Sequence, residues 1–225
     1  MNDHLQEQIN YYRERAAEYD DWWMRQGSYA LDPDLQHQWD RDVAQVEMAV
    51  HDFAPTGDVL ELACGTGLFT RHIARYANHI TALDSSPEVI AINRARLPDA
   101  HIEYVIDDVF TWPFPVCAYD QVVFTYWLSH VPDDRLDAFW GNVRTALKQN
   151  GRAFLVDSFT LPSSAPAGSK RSTEHRTLND GRSFDVVKRY WTPVELEGYL
   201  SQRGWSCQAT LTDNGMPLWA NVSPA

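Results

Sequence analysis

The sequence predicts an α/β fold with a mostly parallel sheet covered by helices on both faces. Two features carry that prediction. From Val59 onward, short apolar strands alternate with segments of helical spacing, and the run "DVLELACGTGLFT" (Asp58 to Thr70) ends a strand-like stretch in a glycine turn. Size agrees, since 225 residues with 44% apolar side chains suffice for the core of one large domain.

The elements follow in order. From Leu5, residues Ile9, Tyr12, Ala16, Tyr19 and Trp23 recur at helical spacing and predict one amphipathic helix with an aromatic stripe. Leu35, Trp39, Val43, Val46, Val50 and Phe53 predict a second, closed by Pro55, Thr56 and Gly57. Strands are expected at Val59 to Ala63, Ile80 to Leu83, Ile102 to Ile106, Gln121 to Thr125 and Ala153 to Val156. "TLPSSAPAGS", Thr160 to Ser169, reads as a loop, and "RTLNDGRSFDVVKRYW" as two strand arms around an Asp-Gly turn. In "TPVELEGYLSQRGW", Thr192 caps a last helix with Pro193 in its first turn. The expected organisation is a single domain: a helical cap over 1–57, a ligand-binding core over 58–158, a loop and hairpin over 159–191, and a helix with strands over 192–225.

Composition narrows the function classes. A net charge of -12 disfavours nucleic acid, so a small molecule is the expected partner. No apolar run approaches a membrane span and the N-terminus carries no secretory pattern, so a soluble, cytoplasmic protein is expected. Cys64, Cys117 and Cys207 are too few and too scattered for a disulfide framework or a paired-ligand zinc site, and no metal is expected. Oligomeric state has no signal in the sequence.

The glycine turn carries the chemistry. Gly65 and Gly67 stand where missing side chains let a ligand approach the backbone. A dinucleotide fingerprint would need a third glycine at Thr70, and Glu61 would repel a pyrophosphate. Asp84, 17 positions after Gly67, suits a ribose diol; Asp108 can accept from an adenine amino group while the Val109 amide addresses a ring nitrogen. Three acids at the ends of successive strands thus converge where open α/β sheets bind ligands, and they favour a cationic, phosphate-free nucleoside such as S-adenosylmethionine. An ordinary tight turn, and a helix cap at Asp84, are the competing readings.

"LELACGTG", "TALDSSPEVI", "DDVFTWPF", "YDQVVFTYWLSHVP" and "ALKQNGRAFLVD" together resemble the successive motifs of class I S-adenosylmethionine-dependent methyltransferases over nearly the whole chain. "KQNG" stands where that family usually has Pro-Gly, a departure that affects a turn. The resemblance implies a Rossmann-like methyltransferase fold with a seven-stranded sheet, an N-terminal helical lid and an inserted β-hairpin. It also implies that Glu61, Ala63, Gly65 and Gly67 line the methionine part of the cofactor, with Phe124 and Thr125 beside it. Asp84 and Ser85 would line the ribose, and Asp108 and Val109 the adenine. "YYRERAAEYD", "LSHVPDDRLDAFW" and "RTLNDGRSFDVVKRY" are most similar to small-molecule O-methyltransferases of antibiotic pathways, among them the phosphonate O-methyltransferase of dehydrophos biosynthesis.

The acceptor is expected between the N-terminal helices and the hairpin. Tyr11, Arg15 and Trp22 share one helical face and Tyr12, Tyr19 and Trp23 the next; either set can close over the site while the other packs. Tyr11 is assigned to the cofactor, and Tyr19 and Trp22 to the acceptor. From Gly168 to Trp191 the charge is +3, which is either a solvated hairpin or a focus for an anion. Strand alternation puts Lys188 on a face with Phe184, Val186 and Tyr190, where it needs a counter-charge that a substrate phosphonate or carboxylate would supply; the resemblance adds Arg176. His130 is the candidate base for a phenol or alcohol, against a hydrogen-bonded structural histidine. The function expected is O-methylation of a small anionic metabolite, with S-adenosylhomocysteine as coproduct. The alternatives are methylation of a phenol or quinone-like acceptor with His130 as base, and a non-catalytic cofactor-binding module.

Overall fold

Strand–helix alternation becomes a seven-stranded sheet in the order β3-β2-β1-β4-β5-β9-β8. Its strands are β1 (Gly57–Leu62), β2 (Ala77–Asp84), β3 (Ile102–Ile106), β4 (Tyr119–Thr125), β5 (Leu147–Ser158), β8 (Trp205–Leu211) and β9 (Pro217–Pro224). The fold is that of a computed structural model describing residues 2–98, 101–159, 171–215 and 217–225. The expected loop over Thr160 to Ser169 lies outside the described residues. The first five strands run parallel, and β9 is antiparallel to both β5 and β8. The order reverses beside β1, so a crevice opens at the carboxyl ends of β1 and β4, where ligands bind in sheets of this kind.

The central strands β1, β4 and β5 are buried on both faces over most of their length because helices cover both. On one side Phe124 packs against Phe139 and Trp140 of α6 (Asp133–Ala146) at ring separations of 5.3 and 5.7 Å. Also on that side is α7 (Pro193–Ser201), which starts in a capping box between Thr192 and Glu195. The other face is covered by Val46, Val50 and Phe53 of α3 (Pro33–Phe53), which Asp32 caps through the Leu35 amide, and by Ile90 of α5 (Pro87–Arg96). Full burial of one such large apolar side chain contributes about 1.5–3 kcal/mol.

The expected single N-terminal helix is broken. It forms α1 (Asn2–Glu14), a 3₁₀ turn over Ala16–Glu18 and α2 (Tyr19–Met24). The break lets one aromatic stripe serve two surfaces: Tyr11 packs on Phe184 of the hairpin at 5.7 Å, while Trp23 packs on Trp39 and Phe69 at 5.5 and 5.2 Å. Arg25 ends α2 in the left-handed region at φ 54°. Helix α2 is tied to the glycine turn through Asp20, which pairs with Arg96 and accepts from the Thr66 hydroxyl at 2.6 Å; Arg96 also donates to the Thr66 carbonyl at 2.8 Å.

Between the fifth strand and α7, β6 (Arg171–Thr177) and β7 (Ser183–Arg189) form an antiparallel hairpin that pairs with no other strand among the described residues. Its turn holds Gly181 at φ 88°, as the Asp-Gly pair predicts. The short helix after the glycine turn, α4 (Thr70–Ile73), is a single turn.

Candidate active site

The glycine turn leaves β1 through Ala63 at φ 52° and Gly65 at φ 54°. A side chain built at Gly65 would meet no protein atom within 4 Å, so the backbone there faces open space. Asp84, at the end of β2, fixes this turn from the neighbouring strand: one carboxylate oxygen accepts from the Gly65 amide and the other from the Ser86 amide, both at 3.0 Å. Burial pushes the Asp84 pKa up, and the Ser86, Gly65 and Ser85 amides pull it back. Asp84 does not cap α5; Ser86 does, accepting from the Val89 amide at 3.3 Å. After β3, Asp108 accepts from the Phe110 amide at 2.9 Å and stands beside Val109.

Ala63, Gly65, Asp84, Ser85, Asp108, Val109 and Thr125 line one cleft, joined by Tyr12, Tyr19, Tyr126 and His130. Among the described residues two carboxylates and no lysine or arginine line it. Such a donor set fits a nucleoside with cationic groups and no phosphate, because a phosphate would meet only like charge.

Four residues assigned to the cofactor stand elsewhere. Glu61 is 1% exposed and lies beneath the cleft, because alternation along β1 turns its side chain inward. Both its oxygens are buried without a hydrogen-bond partner. Burial pushes its pKa up to about 8; the nearby Thr70 hydroxyl opposes this and the Asp84 charge adds to it. Gly67, at φ 88°, is needed for packing: a Cβ there would lie 2.6 Å from the Asn93 side-chain oxygen. Phe124 is fully buried against α6. Tyr11 lies among Tyr12, Phe184, Leu178 and Val186 and reaches only the second cavity. Tyr12, one residue on, lines the cleft with Tyr19, while Trp23 of the same face packs in the core and Tyr11, Arg15 and Trp22 line the second cavity.

That second cavity, of about 150 Å³, lies between the N-terminal helices and the hairpin, and its volume suits a molecule of roughly benzene size. Arg15, Arg25, Arg176 and Lys188 line it, together with Tyr19 and Trp22 and, among the described residues, with no carboxylate. Lys188 is 5% exposed; its Nζ donates to the Ser129 hydroxyl at 2.8 Å and lies 3.6 Å from Asp157. The counter-charge expected from a substrate is therefore supplied by the chain itself, at the end of β5. Burial lowers the Lys188 pKa, Asp157 raises it, and Arg176 lowers it further. Arg176 pairs with Glu174.

His130 follows β4 and is 5% exposed. Its Nδ1 lies 2.7 Å from the Val187 carbonyl and its Nε2 2.8 Å from the Tyr12 hydroxyl. A carbonyl can only accept, so Nδ1 carries the proton and Nε2 accepts from Tyr12. Burial, reinforced by Lys188, holds the His130 pKa well below its ordinary value, so the ring is neutral at pH 7. Both ring nitrogens are thus engaged within the chain, and the proton-accepting nitrogen meets Tyr12.

Tyr12, Tyr19, Tyr126 and His130 line both spaces, so cleft and cavity adjoin across one wall. Neither Tyr126 nor Arg25 is predicted from sequence. Tyr126 takes φ 54° as β4 ends, and this left-handed turn aims its ring at Trp22, 5.0 Å away, whereas Phe124 two residues earlier points into the core. The available signal is a polar aromatic immediately after a buried strand.

A Rossmann-like sheet whose acid-lined cleft lacks basic side chains defines a class of proteins that hold a cationic nucleoside at the strands' carboxyl ends. Comparison with known proteins agrees. The model of a methyltransferase domain matches residues 59–151. A ubiquinone biosynthesis O-methyltransferase from Xylella fastidiosa is 32% identical over 174 residues, which are 69% of this chain and 68% of that protein. With an uncharacterized methyltransferase from Mycobacterium tuberculosis the identity is 32% over 77 residues, and the chain spans 39% of that protein's length. Among solved structures, a DhpI–SAH complex is 36% identical with a TM-score of 0.77, covering 100% of this chain and 98% of that one. A DhpI–SAM–HEP complex gives the same identity and TM-score over 98% of each chain. The chain belongs to the S-adenosylmethionine-dependent methyltransferases.

Proposed function

We propose that the chain transfers a methyl group from S-adenosylmethionine to an oxygen of a small anionic acceptor seated in the cavity beside the cofactor cleft. One observation carries this reading: the acid-lined cleft and the cation-lined cavity share the wall of Tyr12, Tyr19, Tyr126 and His130. The name of one relative, a ubiquinone biosynthesis O-methyltransferase, supports transfer to oxygen, and DhpI is known in a complex with both SAM and HEP.

The cofactor supplies a methyl group on a sulfonium, ready for in-line displacement. In this reading Asp84 and Ser85 hold the ribose, Asp108 and Val109 the adenine, and Ala63, Gly65 and Thr125 the methionine part. Arg176 and Lys188 orient the acceptor from the hairpin, and Tyr19 and Trp22 close over it from α2. Positioning of this kind supplies up to about 7–11 kcal/mol of barrier reduction, so an acceptor that is already an anion needs no base. Glu174 and Asp157 temper the two cations, which keeps an oxyanion from being bound so tightly that it loses nucleophilicity.

A phenol or alcohol acceptor is a second reading because the unprotonated Nε2 of neutral His130, which here accepts from the Tyr12 hydroxyl, lies on the shared wall. The deciding experiment incubates the protein with methyl-labelled cofactor and panels of small phosphonates, carboxylates and neutral phenols, following labelled product and S-adenosylhomocysteine. Label in the acids at a rate independent of His130 protonation is the expected result. Label confined to phenols, lost in His130→Ala, overturns it in favour of the second reading. Cofactor binding with no label in any panel points to a non-catalytic module.

A further inference from the structure

The four cations of the acceptor cavity are not equivalent. Lys188 faces Asp157, and Arg176 faces Glu174. Arg15 donates to the Tyr29 hydroxyl at 3.2 Å and lies 5.2–5.6 Å from the rings of Tyr11, Tyr19 and Tyr29. Arg25 has no such arrangement. Among the described residues no carboxylate pairs with it and its side chain makes no hydrogen bond; its Nε is buried without an acceptor. What holds it is stacking, with the guanidinium carbon 3.7 Å from the Trp39 ring centre and 5.3 Å from that of Trp22. A guanidinium held by its face keeps its N–H edge for an oxyanion.

Two further features stand at the same place. The Tyr126 hydroxyl is also buried without a partner, and its ring lies 5.0 Å from Trp22, so a second unused donor belongs to the same wall of the cavity. Arg25 itself occupies a left-handed helix end, where glycine costs least. The position therefore carries a charged side chain at a cost in backbone strain, offset within the described residues by stacking on Trp39 and Trp22 and by no hydrogen bond from its side chain.

We propose that Arg25, with the Tyr126 hydroxyl, is the receptor that selects the acceptor, taking an oxyanion (carboxylate, sulfonate or phosphate-type) in a two-pronged contact from its free edge. This rests on the reading of the cavity as the acceptor site. It moves the selecting contact from the hairpin, whose two cations already face carboxylates, to the N-terminal cap. Arg25 is a specificity-determining residue; it does not take part in methyl transfer.

The test titrates inorganic phosphate and, separately, acetate into the protein saturated with S-adenosylhomocysteine, by calorimetry and by tryptophan fluorescence, to which Trp22 and Trp39 contribute. Phosphate should bind the unaltered protein, Arg25→Gln should weaken it at least 10-fold, and Arg25→Lys should recover part of the loss, all with unchanged S-adenosylhomocysteine affinity. The ratio of phosphate to acetate affinity tells which oxyanion the receptor prefers. Arg25→Gly separates recognition from folding: it relieves the left-handed strain but gives up the stacking on Trp39 and Trp22, so the melting temperature should change little while phosphate binding falls. Unchanged phosphate binding in Arg25→Gln, with loss in Lys188→Ala, overturns the role of Arg25 and leaves the anionic-acceptor reading standing. If neither anion binds the unaltered protein, both readings fall together, while binding of S-adenosylhomocysteine still marks the cofactor cleft.

Discussion

The cleft read as the cofactor site takes its glycine turn and both its acids from the ends of β1 and β2 and the turn after β3, segments close together in the chain. The second cavity, proposed for the acceptor, instead takes side chains from α1, α2, the end of β5 and the hairpin, segments that lie far apart in the chain. In the first region geometry is set by the sheet, and Asp84 locks it through two amides. In the second it is set by charge compensation, with Asp157 and Glu174 each standing against one cation. Defects should therefore propagate differently: through cofactor affinity in the cleft, and through buried electrostatics in the cavity.

The sharpest break in that contrast is Lys188→Ala. It strands Asp157, 1% exposed, without its cation, and a buried pair broken from one side costs about 3–5 kcal/mol. The amides of Ser129 and Ser158, each 2.7 Å from Asp157, hold the loss toward the lower figure. Chemical denaturation should show it while S-adenosylhomocysteine affinity stays unchanged. Lowered cofactor affinity would mean that the two regions are coupled.

Glu61 tests the cleft from below. Its folded pKa of about 8 exceeds its unfolded value, so the folded state binds the extra proton and stability falls as pH rises from about 4.5 toward 8. Glu61→Gln should flatten that decline, a difference of up to roughly 4 kcal/mol over the range, read as melting temperature against pH. An unchanged slope would show that Glu61 is ionised in the folded protein.

The two glycines give the finest comparison. Gly67→Ala meets Asn93 as well as an unfavourable φ and should cost roughly 2–3 kcal/mol of stability. Gly65→Ala meets no protein atom, so it should cost only about 1 kcal/mol while weakening S-adenosylhomocysteine measurably in calorimetry. Equal loss of stability in both would remove the distinction between a packing glycine and a glycine that faces the ligand.

The same contrast explains what was legible in the sequence. Strands β1 to β4 and the glycine turn announce themselves through local apolar runs and breakers, and the acids that line the cleft sit directly after them. Glu61 and Phe124 are misplaced because a motif fixes a residue's position along a strand but not which layer its side chain enters. The break after Arg15 is hidden because helical periodicity continues across it; it is the separation of the hairpin from Trp39 and Phe69, set by tertiary packing, that bends the chain. Lys188 is legible as a buried cation in need of a partner. That the partner is Asp157 could not be read, since nothing local links the end of β5 to β7.

The hairpin of β6 and β7 pairs with no strand of the main sheet, and the matched methyltransferase domain, residues 59–151, ends before it begins. Changes in its length or composition therefore leave the ladder of the seven strands in register. Descendants of this architecture can be retailored for new clients while the glycine turn and the two acids beside it stay where the sheet puts them.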